Sequence, residues 1–315
     1  MMMLSNYEIK IRFNSKAELP QWKGSTFRGA LGQCLRRSCC INLDLNCKFC
    51  LLRSKCAYYY IYETSPQSSS TVLRKLQDVP RPFVLEPPNV AKTEFTAGEE
   101  VEMNLILFGR GNDYLPYFIV ALRNLGEIGI GKKRRFKYGR FTIDSIYVTN
   151  LKGRDCIYNN DGFVYNKQRT MGLNDFYENR EVDCVKVVFT TPTQLKSGGE
   201  YISELDFYTL MRSLLWRYSA IAYFHCGETI SEEFVNKILE NADKVELESY
   251  KINIIEELER YSTRRGKMKM PLSFVGEFCY RGKIDRESLA LLKLGQYLHI
   301  GKMTPFGCGK YEVII

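Results

Sequence analysis

Histidine is the side chain whose unperturbed pKa suits proton transfer near neutrality, and the 315-residue chain has only two, His225 and His299. His299 ends a helical pattern and runs into Ile300-Gly301-Lys302-Met303-Thr304-Pro305-Phe306-Gly307-Cys308-Gly309-Lys310, a loop with three glycines and two lysines. Glycine admits positive φ and, lacking Cβ, lets another backbone come close, so such a loop suits a phosphodiester chain lying across it. Without a ligand it reads as a tight turn between a helix and an edge strand. Attack on a phosphodiester needs a base near the nucleophile, an acid near the leaving oxygen and positive charge at the phosphorane. His299 is the first candidate for proton transfer. His225, which closes a long helical segment beside Cys226-Gly227, is the second, and either could instead be structural. Lys302 could stabilise the phosphorane, and Tyr297 or Tyr311 could supply a proton. Gly301, Gly307, Gly309 and Lys310 would contact the bound phosphodiester chain.

A second loop of the same make occurs mid-chain. Gly129-Ile130-Gly131-Lys132-Lys133-Arg134-Arg135-Phe136-Lys137-Tyr138-Gly139-Arg140 holds six cations in twelve residues and no acid. Lys132, Lys133, Arg134, Arg135 and Lys137 would follow phosphates while Phe136 and Tyr138 offer stacking faces. Arg264 and Arg265, with Lys267 and Lys269, form another basic patch, and Arg28 could add a contact from the first helix. The net charge is +9, from 45 Lys and Arg against 36 Asp and Glu, and the excess is concentrated in these segments. Clustered cations imply a polyanionic partner, because neutralising adjacent phosphates releases counterions together. Two such loops, one closing each half of the chain, suggest a duplicated architecture gripping one polyanion.

The chain has 45% hydrophobic and 26% charged residues, as expected of a soluble globular protein long enough for two domains. It has no run of about 18 apolar residues and no signal-peptide pattern at Met1-Met2-Met3-Leu4-Ser5, so a cytoplasmic location without a membrane partner is expected. Eleven cysteines are then thiols or metal ligands before disulfides. Cys40, Cys47, Cys50 and Cys56 offer four thiolates within 17 residues, with Cys39 able to replace Cys40. The x2 spacing between Cys47 and Cys50 lets one turn present two sulfurs to one metal. A structural zinc is expected, with an iron–sulfur cluster or buried free thiols as alternatives and no cofactor for catalysis.

The elements that must carry these loops follow from periodicity. Residues 7–13 and 100–108 alternate as strands, residues 25–37 and 114–125 have helical spacing, and 141–148 alternates again. Strand, helix, strand, helix, basic hairpin and strand is the order of a β-α-β-β-α-β unit. Residues 151–180 read as an irregular connection. A second cycle runs through a strand at 185–190, a helical segment from Leu205 to His225, strands between Met268 and Tyr280, a helix from Arg286 to Leu298, and the closing loop and strand. The predicted domains are residues 1–150, with the cysteine loop 39–56 inserted, and 151–315, closed by the glycine loop 301–309.

Phe27-Arg28-Gly29-Ala30-Leu31-Gly32, the cysteine cluster followed by Tyr58, Arg81-Pro82-Phe83-Val84-Leu85-Glu86-Pro87-Pro88, Leu107-Phe108-Gly109-Arg110 and Tyr114-Leu115-Pro116-Tyr117-Phe118 carry a resemblance. To these add Gly276-Glu277, Leu298-His299-Ile300-Gly301-Lys302 and Phe306-Gly307-Cys308-Gly309-Lys310-Tyr311. On these residues the chain resembles the CRISPR-associated endoribonuclease that processes precursor CRISPR RNA, within the RAMP (repeat-associated mysterious protein) superfamily. The resemblance implies an α+β fold of two tandem ferredoxin-like (RRM-like) domains gripping CRISPR repeat RNA. It also implies metal-independent cleavage by the neighbouring 2′-hydroxyl, leaving a 2′,3′-cyclic phosphate, with other CRISPR-associated effector subunits as further partners. The chain departs from relatives that carry a histidine near the first helix, since it has none there, and Cys308 replaces a more usual aliphatic residue. A non-catalytic guide-RNA-binding subunit of an effector complex is the alternative function, and a metal–sulfur redox protein a third.

Overall fold

The computed structural model describes residues 2–65, 79–132, 137–159, 162–163, 169–197, 200–201, 204–255, 258–262, 266–270 and 272–315. It divides into two compact units, one of residues 4–170 with 261–266, the other of residues 1–3, 171–260 and 267–315.

The first unit runs β1 (Met3–Phe13), β2 (Ala17–Glu18), α1 (Gly24–Cys39), α2 (Ala57–Tyr62), β3 (Phe83–Glu86), β4 (Glu94–Phe95), β5 (Glu100–Phe108), α3 (Leu115–Ile128), β6 (Phe141–Asn150), β7 (Gly153–Asn159) and β8 (Gly162–Phe163). Period-two alternation puts Tyr7, Ile9, Ile11 and Phe13 on the buried face of β1. On the opposite face Arg12 pairs with Asp144 at 2.7 Å and Lys10 with Glu100 at 3.3 Å. Helical spacing aims Phe27, Leu31 and Leu35 of α1 and Phe118, Leu122 and Leu125 of α3 into the same core as the strand residues. The antiparallel strands lie in the order β3-β5-β1-β6-β7-β8.

The second unit follows with β9 (Met171–Gly172), β10 (Val182–Thr193), β11 (Lys196–Ser197), β12 (Glu200–Tyr201), α4 (Phe207–Ile221), α5 (Glu232–Ala242), β13 (Glu246–Ile255), β14 (Leu258–Ser262), β15 (Gly266–Met270), β16 (Ser273–Ile284), α6 (Arg286–Leu298) and β17 (Tyr311–Ile314). Its antiparallel sheet has the order β13-β16-β10-β17. Val187 and Phe189 of β10, Leu210 and Leu214 of α4, Phe278 and Tyr280 of β16, and Leu291, Leu294 and Tyr311 are all buried. Two buried tyrosines are satisfied by backbone: the Tyr280 hydroxyl donates to Leu205 O at 2.9 Å and that of Tyr311 to Leu292 O at 2.7 Å. Burial raises both phenols well above their ordinary pKa, so they remain donors at any physiological pH.

Numbering the four framework strands of each unit in chain order gives 4-1-3-2 twice: β6-β1-β5-β3 and β17-β10-β16-β13. Both units therefore have the ferredoxin-like connectivity, and in each the helix before the last strand leads into a glycine loop. The expected irregular connection at 151–180 is corrected in part. Residues 153–159 form β7, paired with β6, because Ile157 and Tyr158 bury themselves within an otherwise polar stretch. Among the described residues no helix is long and apolar enough to cross a membrane.

Two glycines of α1 distinguish helix propensity from space. A Cβ at Gly29 would meet nothing within 4 Å, whereas one at Gly32 would run into the Tyr62 ring. Gly29→Ala is expected to raise stability by about 0.5–1 kcal/mol, and Gly32→Ala to lower it, each read from urea unfolding.

Candidate nucleic-acid interface

The two glycine loops are built alike, bond for bond. After α3, Gly129 N donates to Leu125 O (2.8 Å), Ile130 N to Gly139 O (3.0 Å), Lys132 N to Glu18 O (3.0 Å) and Gly139 N to Lys16 O (2.8 Å), while Asn14 N donates to Arg140 O (2.8 Å). After α6, His299 N donates to Gly295 O (2.9 Å), Ile300 N to Gly309 O (3.0 Å), Lys302 N to Gln194 O (3.0 Å) and Gly309 N to Pro192 O (3.1 Å), while Thr190 N donates to Lys310 O (3.0 Å). Residues 129–140 thus correspond to 299–310; the first loop closes on the segment from the end of β1 into β2, and the second on the end of β10. Glycine is required where the backbones cross. A Cβ at Gly301 would collide with Gln194 O and one at Gly309 with Ile300 O, and both residues have positive φ, 82° and 74°. Gly131 and Gly139 repeat this against Glu18 O and Ile130 O. The sequence expected two loops of one make; their shared hydrogen-bond register gives that likeness a structural basis.

The second loop gathers Gly301, Lys302, Gly307, Gly309 and Lys310, with Tyr297 in the preceding turn of α6. Lys302 is exposed and Lys310 half-buried, its backbone N donating to Thr191 Oγ1 at 2.9 Å. Gly307, at φ 80°, ends the single 3-10 turn Thr304–Phe306. The half-buried Tyr297 ring lies 5.8 Å from that of Phe176. His299 is completely buried, and its Nδ1 lies 3.0 Å from Cys308 O. A carbonyl only accepts, so Nδ1 carries the proton of that bond. His225 is equally buried, in a π-helical turn (Ala222–Cys226) that ends α4 at the left-handed Gly227.

Arg217 of α4 was not singled out by the sequence. It is buried, and its Nε donates to Leu298 O at 2.7 Å, capping the last carbonyl of α6 where the loop begins. Burial lowers its pKa to about 9, which still leaves it cationic at neutral pH. The signal was present: Arg217 falls three residues after Leu214 and four before Ile221, on the apolar stripe of its helix, where a cation needs a reason.

In the first unit Lys132 is exposed, and its Nζ pairs with Glu18 at 2.9 Å, so part of its charge is used within the loop. Lys137 is exposed, with φ at 65°. Arg28 lies with its guanidinium 4.6 Å from the centre of the Tyr62 ring, a cation–π contact on the half-buried side of α1. Lys133, Arg134, Arg135, Arg264 and Arg265 lie outside the described residues, as do the side chains of Lys267 and Lys269.

The expected metal centre is corrected. Among the described residues no group of three or more His, Cys, Asp or Glu side chains converges to hold an ion, so neither zinc nor an iron–sulfur cluster is supported at Cys39, Cys40, Cys47, Cys50 and Cys56. Burial pushes the Cys39 thiol up to about 11, reinforced by Cys56 and Cys40. Cys40 Sγ donates to Asn42 O at 3.0 Å. Other groups tie the loop down. Arg36 Nη2 donates to Leu43 O and Leu45 O (2.7 and 3.0 Å), and Asn42 and Asn46 accept from the backbone of Asp44, Leu45 and Lys48.

Two ferredoxin-like units and the closing glycine loop have counterparts in known proteins. Residues 187–311 match the family model of the CRISPR-associated endoribonuclease Cas6, and residues 2–170 match a family model of an N-terminal domain. Over residues 187–311, less than half of its length, the chain is therefore similar to the CRISPR-associated endoribonuclease Cas6 family. A relative in Archaeoglobus fulgidus, an uncharacterized protein, is 25% identical over 301 residues, 94% of this chain and 92% of the relative. The fold is shared with Thermus thermophilus Cas6, at 15% identity and a TM-score of 0.56, covering 100% of this chain and 99% of that one. A Cas6 product complex aligns at 14% identity and TM-score 0.53 over 99% of this chain and 100% of its own. A chain of a Cas6-RT-Cas1–Cas2 complex aligns at 13% identity and TM-score 0.60, over 100% of this chain and 46% of its own.

Because the collision at Gly309 is with backbone, relaxation is restricted. Gly309→Ala is expected to cost at least roughly 1–3 kcal/mol in chemical denaturation, through positive φ and displacement of Ile300 from its bond to the loop.

Proposed function

We propose that this chain binds CRISPR repeat RNA and cleaves it within the precursor transcript, without a metal ion, to give mature guide RNA. The observation that carries the reading is the second glycine loop, where exposed Lys302 and half-buried Lys310 stand on a backbone fixed by five main-chain hydrogen bonds within the region that matches the Cas6 family.

In the reaction the 2′-oxygen attacks the adjacent phosphorus, a P–O2′ bond forms and the P–O5′ bond breaks. The proton leaving the 2′-hydroxyl is balanced by one delivered to the 5′-oxygen, and the products are a 2′,3′-cyclic phosphate and a free 5′-hydroxyl. Lys302 supplies positive charge to the phosphorane, and the rigid loop costs no reorganisation as that charge develops. Tyr297 is the proton donor we assign from the turn that precedes the loop. Both histidines are buried, so neither offers an edge to a phosphate at the surface. Lys132 and Lys137 of the first loop and Arg28 of α1 contribute phosphate contacts or stacking in their own unit. The buried histidines favour, as the second reading, a chain that binds repeat RNA as a guide-binding subunit and does not cut it.

The test is incubation with a repeat RNA in EDTA beside the same RNA carrying one 2′-deoxy substitution at the cut. Cleavage of the first alone, with a cyclic phosphate on the 5′ fragment, is the expected result, and Lys302→Ala should slow it roughly 100-fold. Tight binding with no cleavage of either RNA would select the guide-binding subunit instead.

A further inference from the structure

The likeness of the two loops makes their one backbone difference informative. The residue that leaves the helix is Gly129 in the first loop, at φ 91° and ψ 160°, and His299 in the second, at φ 57° and ψ 167°. This is the edge of a region that only glycine occupies freely, so the second loop holds a large side chain where its twin uses none. In the first loop a Cβ on Gly129 would collide with Tyr138 O. In the second loop the equivalent carbonyl is that of Cys308, and it receives the imidazole Nδ1 at 3.0 Å. A steric conflict has become a hydrogen bond. The Cys308–Gly309 peptide is thereby held at both ends, its carbonyl by His299 and its N–H by Pro192 O. The side-chain reinforcement continues around the second loop. Arg217 holds Leu298 O, and the Tyr311 hydroxyl holds Leu292 O, where the first loop has Phe141, which has no hydroxyl.

We propose that His299 is a positioning residue, not a proton donor or acceptor. Its imidazole keeps the Cys308 carbonyl turned inward, and so presents the loop segment Gly307–Lys310 to the RNA phosphate in one fixed geometry. A carbonyl oxygen facing an anion would repel it, so holding that group inward favours phosphate binding as well as rigidity. The strained backbone is the cost of this clamp, and the unclamped loop 129–139 shows that the fold itself does not require it. The inference rests on the RNA-processing reading for its ligand, but not for the clamp.

Three substitutions separate the roles. In asparagine the amide nitrogen sits on Cγ, where imidazole Nδ1 sits, and asparagine tolerates positive φ; His299→Asn keeps the bond and cannot transfer protons at neutral pH. His299→Gln places its amide one atom further out and loses the bond. His299→Gly relaxes the backbone to the form Gly129 already adopts and removes the clamp. The expected result is that His299→Asn binds and cuts the repeat RNA within a few-fold of wild type. His299→Gly and His299→Gln should lose roughly tenfold in RNA affinity, the equivalent of one hydrogen bond, while melting within a few degrees of wild type. Hydrogen exchange of the amides of residues 300–310, measured without RNA, should accelerate in the Gly and Gln variants and not in Asn. Loss of cleavage in all three variants with unchanged affinity and exchange would overturn the proposal in favour of proton transfer. Unchanged exchange in the Gly variant would overturn the clamp outright. A wild-type protein that neither binds nor cuts the RNA would sink the functional reading alone, since the exchange comparison still decides the clamp.

Discussion

Everything at the candidate site depends on the short bond between two backbones where a helix ends: Ile300 N to Gly309 O, with Gly309 N returned to Pro192 O. That pair of bonds closes a loop of basic character into a rigid shelf and fastens it to the end of β10, an inner strand of its sheet. Two main chains can approach that closely only where Cβ atoms are missing, which makes glycine at 301 and 309 a geometric necessity. The same bonds recur between Ile130, Gly139 and Lys16, so the device belongs to the fold and occurs in both units.

The repeated loop differs between the two units in how it is reinforced. The first loop keeps glycine at its entry and a Glu18 partner for Lys132, while the second replaces that glycine with a buried histidine and receives Arg217 and Tyr311 as further anchors. Chemistry on a phosphodiester gains from a fixed phosphate, whereas holding a strand needs charge more than precision. The asymmetry of reinforcement is what favours the second loop in the proposed reaction.

Much of this was legible in the residues. Strict alternation in β1 and β5, helical spacing in α3 and α6 and the paired glycine loops give the two βαββαβ cycles directly, because local periodicity and burial agree there. Residues 153–159 escaped because Ile157 and Tyr158 are only two buried positions amid Asn, Gly and charge. At the site, glycine and lysine identity revealed the loop, but the residues beside His299 do not show that its ring turns inward, since its partner, Cys308 O, lies across the loop. The cysteine spacing found no support for the complementary reason: spacing constrains which sulfurs could meet, whereas Arg36 and two asparagines, through local contacts, set where the loop goes.

The most direct test of the account is where the scissile phosphate lies. A repeat RNA made uncleavable by a 2′-deoxy group and carrying 4-thiouridine beside the cut would be crosslinked to the wild-type protein and the modified peptide sequenced. The account predicts crosslinks within the segment from Tyr297 to Lys310. Efficient crosslinking confined to other parts of the chain, with that segment unmodified, would contradict it.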